Sequence, residues 1–342
     1  MFILVGVYLK IASVCIALVL LISLCSVLPL AAAPSEVWVD VGGPDNGYDQ
    51  FDTIQEGIDA VDAGGTVHVA AGTYLLSATI SITKNLSLLG AGEASTFIDG
   101  QGSVVVLNTQ GLNSTTVIDG FTIQNGSSGA VGGGMYNYQS SPTLINCTFS
   151  ANTASSNGGG MYNFERSSPT LTNCTFSANT ASNNGGGMYN YFYSSPTITN
   201  CTFSANTASN NGGGMYNDYI CVPHISYCAF NGNDARNGGG MYNDVSSPSI
   251  TNSTFSSNIV TNNGGGMHCN SNSAPVVTDC LFSENVAANG GGGAYVNDAT
   301  TPAQFTDCTF EDNIAKWHGG GAYVDIDAIA SFVSCTFATN EA

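Results

Sequence analysis

Apolar and polar positions alternate with a period of two in short runs along the chain, and from residue 126 these runs recur at a fixed step. One unit reads Gly158-Gly159-Gly160-Met161-Tyr162-Asn163, then a Ser-Pro-Thr stretch, then Cys174-Thr175-Phe176-Ser177-Ala178-Asn179. It returns from Gly185 to Asn206 and from Gly212 to Asn233, with worn versions from Gly132 to Asn152 and from Gly319 to Asn340. The last glycine of each triplet falls at Gly134, Gly160, Gly187, Gly214, Gly240, Gly266, Gly293 and Gly321, a step of 26 to 28 residues. Self-similarity at such a period is the mark of a solenoid.

Within a unit the residues are Thr, Asn, Ser and Gly with few helix formers, so each unit predicts strands and turns. After the glycines, the column Met135, Met161, Met188, Met215, Met241, Met267, Ala294, Ala322 faces inward. The column two residues on (Asn137 to Asn243, then Cys269, Val296 and Val324) faces inward with it, because Cys and Val replace Asn there. Tyr136, Tyr162, Tyr189, Tyr216, Tyr242, His268, Tyr295 and Tyr323 lie between them and are expected to face solvent. A second strand contributes Leu144, Leu171, Ile198, Ile225, Ile250, Val277, Phe305 and Phe332. A third contributes a column of Cys, with Ser253 in one place, followed two positions later by Phe149, Phe176 and their equivalents. An Asn closes each unit at a turn. The prediction is an all-β parallel β-helix of ten to twelve coils, with three strands and about 27 residues per coil. Coils stacked about 4.8 Å apart place like residues on like residues, so Asn amides form ladders.

The N-terminal third reads differently. Lys10 precedes an apolar run from Ile11 to Leu30 and then Ala31-Ala32-Ala33-Pro34, the pattern of a signal peptide over residues 1–33, with an uncleaved anchor as the alternative. Residues 34–125 predict a cap and the first coils, and 126–342 the regular repeats. Phe51 to Val61 has apolar residues at helical spacing with Asp52 or Thr53 as cap, predicting a short helix over the open end of the first coil. Strands are predicted at Thr66–Ala70, Leu86–Leu89, Val104–Leu107 and Val117–Ile123. The last Cys-Thr-Phe strand runs up to Asn340, and an open final coil is expected to associate end to end or take a covering partner.

Composition narrows the function. Lys and Arg number 5 against 24 Asp and Glu, a net charge of −19, which argues against nucleic acid, anionic lipid and unbridged polyanionic pectate as partners. Seven of the 11 Cys fall in the inward column, where buried free thiols are preferred over bridges. No Cys or His set has zinc spacing, and His68, His224, His268 and His318 show no nucleophile-triad arrangement.

Two features carry candidate chemistry. Four residues past each final glycine comes a second outward column, which is Tyr138, Phe164 and Tyr191 and then Asp218 and Asp244. With Tyr136, Tyr162, Tyr189 and Tyr216 it predicts an aromatic stripe on which the apolar faces of a glycan stack. Exposed Tyr cross-paired for strand stability is the competing reading, and the one preferred from the sequence. Asp218 and Asp244 should meet across neighbouring coils, giving a candidate Ca²⁺ pair or, with Arg236, a candidate catalytic set; Asp298 and Asp327 are possible assistants.

The stretch from Thr53 to Tyr74 (TIQEGIDAVDAGGTVHVAAGTY), with LSLLGAG at Leu86–Gly92 and FIDGQG at Phe97–Gly102, resembles the opening of the pectin-lyase-like right-handed β-helix superfamily, including pectin methylesterases. The GGGMYN and FSAN repeats resemble the GGA and FxxN repeats of chlamydial polymorphic outer-membrane proteins and many secreted right-handed β-helix proteins. The resemblance implies a right-handed fold and a family that holds lyases, hydrolases, esterases and adhesins. Pectate lyases imply a calcium-binding carboxylate cluster with a basic residue, and Arg166 and Arg236 stand in different columns. The Gly-His-Gly and Arg-x-Lys motifs of polygalacturonases are missing, and only the opening of the methylesterases is matched. The expected function is therefore an exported or surface-displayed, adhesin-like or structural protein that contacts glycans or host-surface glycoproteins, with no cofactor beyond Ca²⁺. The alternative is a polysaccharide lyase or glycoside hydrolase.

Overall fold

The structure, a computed structural model, describes residues 33–41, 50–298 and 300–342. Of the two units of the chain, residues 35–342 form a parallel β-helix, and the predicted signal peptide with Cys15 and Cys25 lies, but for Ala33, outside the described residues. A representative coil starts with Met188–Tyr191, turns into Thr197–Thr199, continues as Thr202–Ser204 and ends in Thr207–Ala208. Stacking gives four parallel sheets of 10, 13, 11 and 8 strands, here named after their buried residues the Met, Leu, Phe and Ala sheets. Register follows the sequence columns: Met188 pairs with Met215, Ile198 with Ile225 and Phe203 with Phe230.

The Ala sheet is the departure from three strands per coil. Its strands hold two residues each, too few to show a period, yet Ala208, Ala235, Val260, Ala287 and Ala315 are buried as a file of their own. The N-terminal coils also contain strands Glu36–Val39, Gly72–Leu75, Ile80–Ile82 and Thr96–Asp99 that the sequence pattern did not show. The predicted Val104–Leu107 strand instead occupies Leu107–Gln110. Gly120, at φ +78°, breaks the predicted Val117–Ile123 strand into Val117–Asp119 and Thr122–Gln124.

Repeat chemistry explains the coil. Phe149, Phe176, Phe203, Phe230, Phe255, Phe282 and Phe310 stack at 4.7 to 4.8 Å, with planes within 7°. At the Phe-to-Ala corner a fully buried Asn ladder satisfies the turn. Asn206 donates to Phe176 O (2.9 Å) and Asn233 Oδ1 (3.0 Å), and accepts from the Asn179 backbone (3.0 Å) and amide (2.9 Å). A second ladder, Asn137-Asn163-Asn190-Asn217-Asn243, runs through the core at 2.7 to 2.8 Å and ends on the Cys269 thiol. The glycine triplet is steric in origin: a Cβ on Gly187 would lie 2.5 Å from Gly214 O.

All nine described cysteines are free. In the column each thiol donates to a carbonyl two residues back, Cys174 to Thr172 O (3.4 Å) and Cys201 to Thr199 O (3.3 Å), and Cys201 Sγ accepts the Cys174 N–H. Ser253 fits because its hydroxyl repeats both bonds, to Thr251 O and from Cys228 N. Burial pushes the Cys221 and Cys269 thiols up to about 12.

The helix spans Ile54–Ala60, and Thr53 rather than Asp52 caps it in a capping box with Glu56. Ile54 and Ile58 are buried with the first strands. At the other end, Phe337 and Val333 of the final coil are 48% and 52% exposed.

Candidate ligand-binding face

The Tyr column leaves the Met sheet on the side away from the core, yet it is not the exposed stripe expected. Tyr162, Tyr189, Tyr216 and Tyr242 are only 5 to 8% exposed. Two contacts close the column. The rings stack on one another at 4.9 to 5.1 Å with planes within 8°, so each internal ring has both faces occupied. The glycine-rich turn presses against the ring roots: Gly185 holds φ +65°, and a Cβ there would sit 2.8 Å from Tyr189 Cβ. The rings' far ends are also engaged, Tyr189 donating to Asp218 Oδ2 at 2.8 Å and Tyr295 to Asp325 Oδ2 at 2.7 Å. His268 continues the column at 5% exposure, tilted 32° and 39° to its neighbours, and burial lowers its pKa to about 4.

The accessible aromatics lie beside it. Tyr138, Phe164 and Tyr191 are half-buried and follow one another at 5.7 Å. Past them, at the corner leading to the Leu sheet, Phe192 and Tyr219 stack at 5.1 Å and Tyr193 meets Tyr219 edge-on at 6.0 Å. Tyr193, Tyr219 and Ile220 are 41%, 44% and 45% exposed, and the Arg166 guanidinium sits 5.9 Å over the Tyr193 ring. Sequence reasoning missed Phe192, Tyr193 and Tyr219. The signal was length: these coils carry one more residue between the Met strand and the next Pro than the Tyr138-Gln139-Ser140-Ser141-Pro142 coil. The extra residue gives a pair of left-handed positions, Phe192 and Tyr193 at φ 55° and 61°, Tyr219 and Ile220 at 57° and 61°, a conformation costly for non-glycine residues.

Asp218 and Asp244 are direct cross-coil partners, as predicted. Burial, and then the neighbouring Asp244, raise the Asp218 pKa against the opposing Tyr189 hydrogen bond. Asp244 accepts from Tyr216 Oη at 3.4 Å and from the Asn270 amide at 3.3 Å. Arg236 is exposed on the turn before the next glycine triplet, its backbone bonded to Asn210 O, and among the described residues no ion pair joins it to either carboxylate. Among the described residues no group of three or more His, Cys, Asp and Glu side chains could hold a metal ion. The arrangement offers aromatic faces, hydroxyls and two tied carboxylates.

The sequence profile of the right handed beta helix region matches residues 93–282. The chain belongs to the right-handed β-helix family. A second profile, the Chlamydia polymorphic membrane protein repeat, matches residues 279–297 of this β-helix protein, and both resemblances read from the sequence are thereby met. No curated protein sequence matches it. Among solved structures the β-helix is similar to Geobacillus virus E2 ORF18 (TM-score 0.52, 17% identity, 84% of this chain and 58% of that one). It is also similar to the Azotobacter vinelandii mannuronan C-5 epimerase AlgE4 A-module (TM-score 0.44, 16% identity, 89% and 96%). Pectin methylesterase PemA from Erwinia chrysanthemi is a further neighbour (TM-score 0.42, 12% identity, 88% and 94%). The chain thus spans 58% of the length of the viral neighbour, and the likeness is one of fold. No helix of the described residues is long and apolar enough to cross a membrane.

Proposed function

We propose that this β-helix is an exported, surface-displayed protein that works by contact, holding glycan chains against its aromatic face. The carrying observation is the row Tyr138–Phe164–Tyr191 continued by exposed Tyr193 and Tyr219 on a rigid, regular scaffold. Aromatic faces provide large contact area at little cost in conformational entropy, because each ring has only two rotatable bonds to freeze. The polymorphic membrane protein repeat supports surface placement, and the acidic composition supports a neutral ligand in preference to a polyanion. A second reading rests on the Asp218–Asp244 pair, one member of which is held more protonated than an ordinary aspartate. Such a pair suits glycoside hydrolysis, but Tyr189, Tyr216 and Asn270 occupy its oxygens.

A polysaccharide array and pull-down, with and without Ca²⁺, scored for capture and for released ends, separates these readings. Capture lost in the Tyr191→Ala/Tyr219→Ala double variant without new reducing or unsaturated ends supports contact. Product release that disappears in Asp218→Asn replaces it with the hydrolase. Capture seen only with Ca²⁺ assigns the carboxylate pair a bridging ion.

A further inference from the structure

The Tyr stack has one open end. Tyr136 lies at 5.7 Å and 16° on Tyr162, but its cross-coil partner on the other side is Asn108, followed by Ser81. Where every later coil supplies a ring, these two coils supply small polar residues. The result is a cavity of about 260 Å³ whose lining includes Thr79, Ser81, Val105, Asn108, Val131 and Tyr136. Among the described residues the Asn108 amide and the Ser81 and Thr79 hydroxyls have no hydrogen-bond partner, so three part-exposed polar groups line the cavity beside a free ring face.

We infer that this slot takes one pyranose ring of a neutral glycan, seated as the next member of the Tyr stack. This rests on the glycan reading and adds to it a defined subsite. The volume falls just below the roughly 300 Å³ at which pockets begin to hold drug-sized ligands, which suits a single ring. The wall holds no Asp, Glu, Lys, Arg or His, so a uronate carboxylate would lose water without gaining a charged partner. A flat hydrocarbon ring would cover Tyr136 but leave Asn108, Ser81 and Thr79 desolvated and unpaired. A pyranose meets both demands, with C–H groups against the ring face and hydroxyls toward the amide and hydroxyls.

The test is titration calorimetry on the full chain with cellohexaose, mannohexaose and hexagalacturonate. Asn108→Tyr plugs the slot with the residue that later coils carry at this register. The expected result is saturable binding of at least one neutral hexasaccharide, weakened tenfold or more in N108Y while its melting temperature equals or exceeds that of the parent. Should N108Y unfold, Tyr136→Leu carries the same expectation. Equal binding in the plugged variant, or binding of hexagalacturonate alone, or of none, overturns the slot. The wider glycan reading is judged separately, because polysaccharide capture lost in Y191A/Y219A sustains it even when the slot fails.

Discussion

Single residues that break a column show what the column does. His268 sits in a Tyr file, buried and tilted, with a pKa lowered to about 4 from 6.5. The unfolded chain therefore binds a proton that the folded one refuses, and this residue makes stability fall as pH drops from about 6.5 toward 4. His268→Tyr restores parallel stacking. It is expected to raise stability by about 1 kcal/mol and to flatten the loss between those pH values in thermal melts. Asp218 has the opposite sign. Its raised pKa means its folded carboxyl prefers the proton, so its contribution is greatest below the ordinary aspartate value of 3.8 and declines as pH rises through the higher folded value. Asp218→Asn keeps an acceptor for Tyr189 Oη and is expected to melt higher at pH 7 and to converge with the parent in acid. At this scale the sequence was informative about which residues share a column and blind to how deeply the column is covered. Nothing in the spacing of Tyr162 and Tyr189 reveals that each ring takes its neighbour's face or that the glycine turn presses on its root.

Elements in this fold are held at their corners. Removing Asn206 as Asn206→Ala leaves Phe176 O, the Asn179 N–H and the Asn179 amide short of partners in a buried site. At about 1–3 kcal/mol per unsatisfied group, the expected cost is about 3 kcal/mol or more, read as a lower denaturant midpoint. Asn340 makes the matching bonds at the partly exposed end, where water substitutes, so Asn340→Ala should cost less than half as much. The Met, Leu and Phe strands were legible because their alternation repeats eight times over, as Met135, Leu144 and Phe149 show in a single coil. The Ala sheet was not, since a two-residue strand such as Thr207–Ala208 is indistinguishable from the turn beside it. The Phe192–Tyr219 corner was obscured for a related reason. Its left-handed backbone comes from one additional residue, and the residues involved carry none of the usual Gly or Asn signature.

For the molecule as a whole, cohesion is a sum over neighbouring coils. The family and the solenoid could be read from the repeat, whereas the ligand-binding face could be read only in part. Tyr191 and Asp218 were named beforehand, while the Tyr136 slot arises from what Asn108 and Ser81 lack rather than from any motif. The in-register stacking of Met161 on Met188 and Met188 on Met215 carries one further consequence. Adjoining coils present the same surface upward that the next accepts from below, 27 residues apart. Excision of residues 185–211, a whole coil, is therefore expected to leave far-UV circular dichroism per residue unchanged and thermal unfolding cooperative. Excision of 185–198 should give aggregates, because it removes the Met strand and joins the Ala strand Thr180–Ala181 to the Phe strand Thr202–Ser204. A gene that gains or loses such a segment in frame alters the reach of the protein while its fold and the chemistry of its remaining faces stay constant. Length is thus a trait on which selection can act separately from recognition.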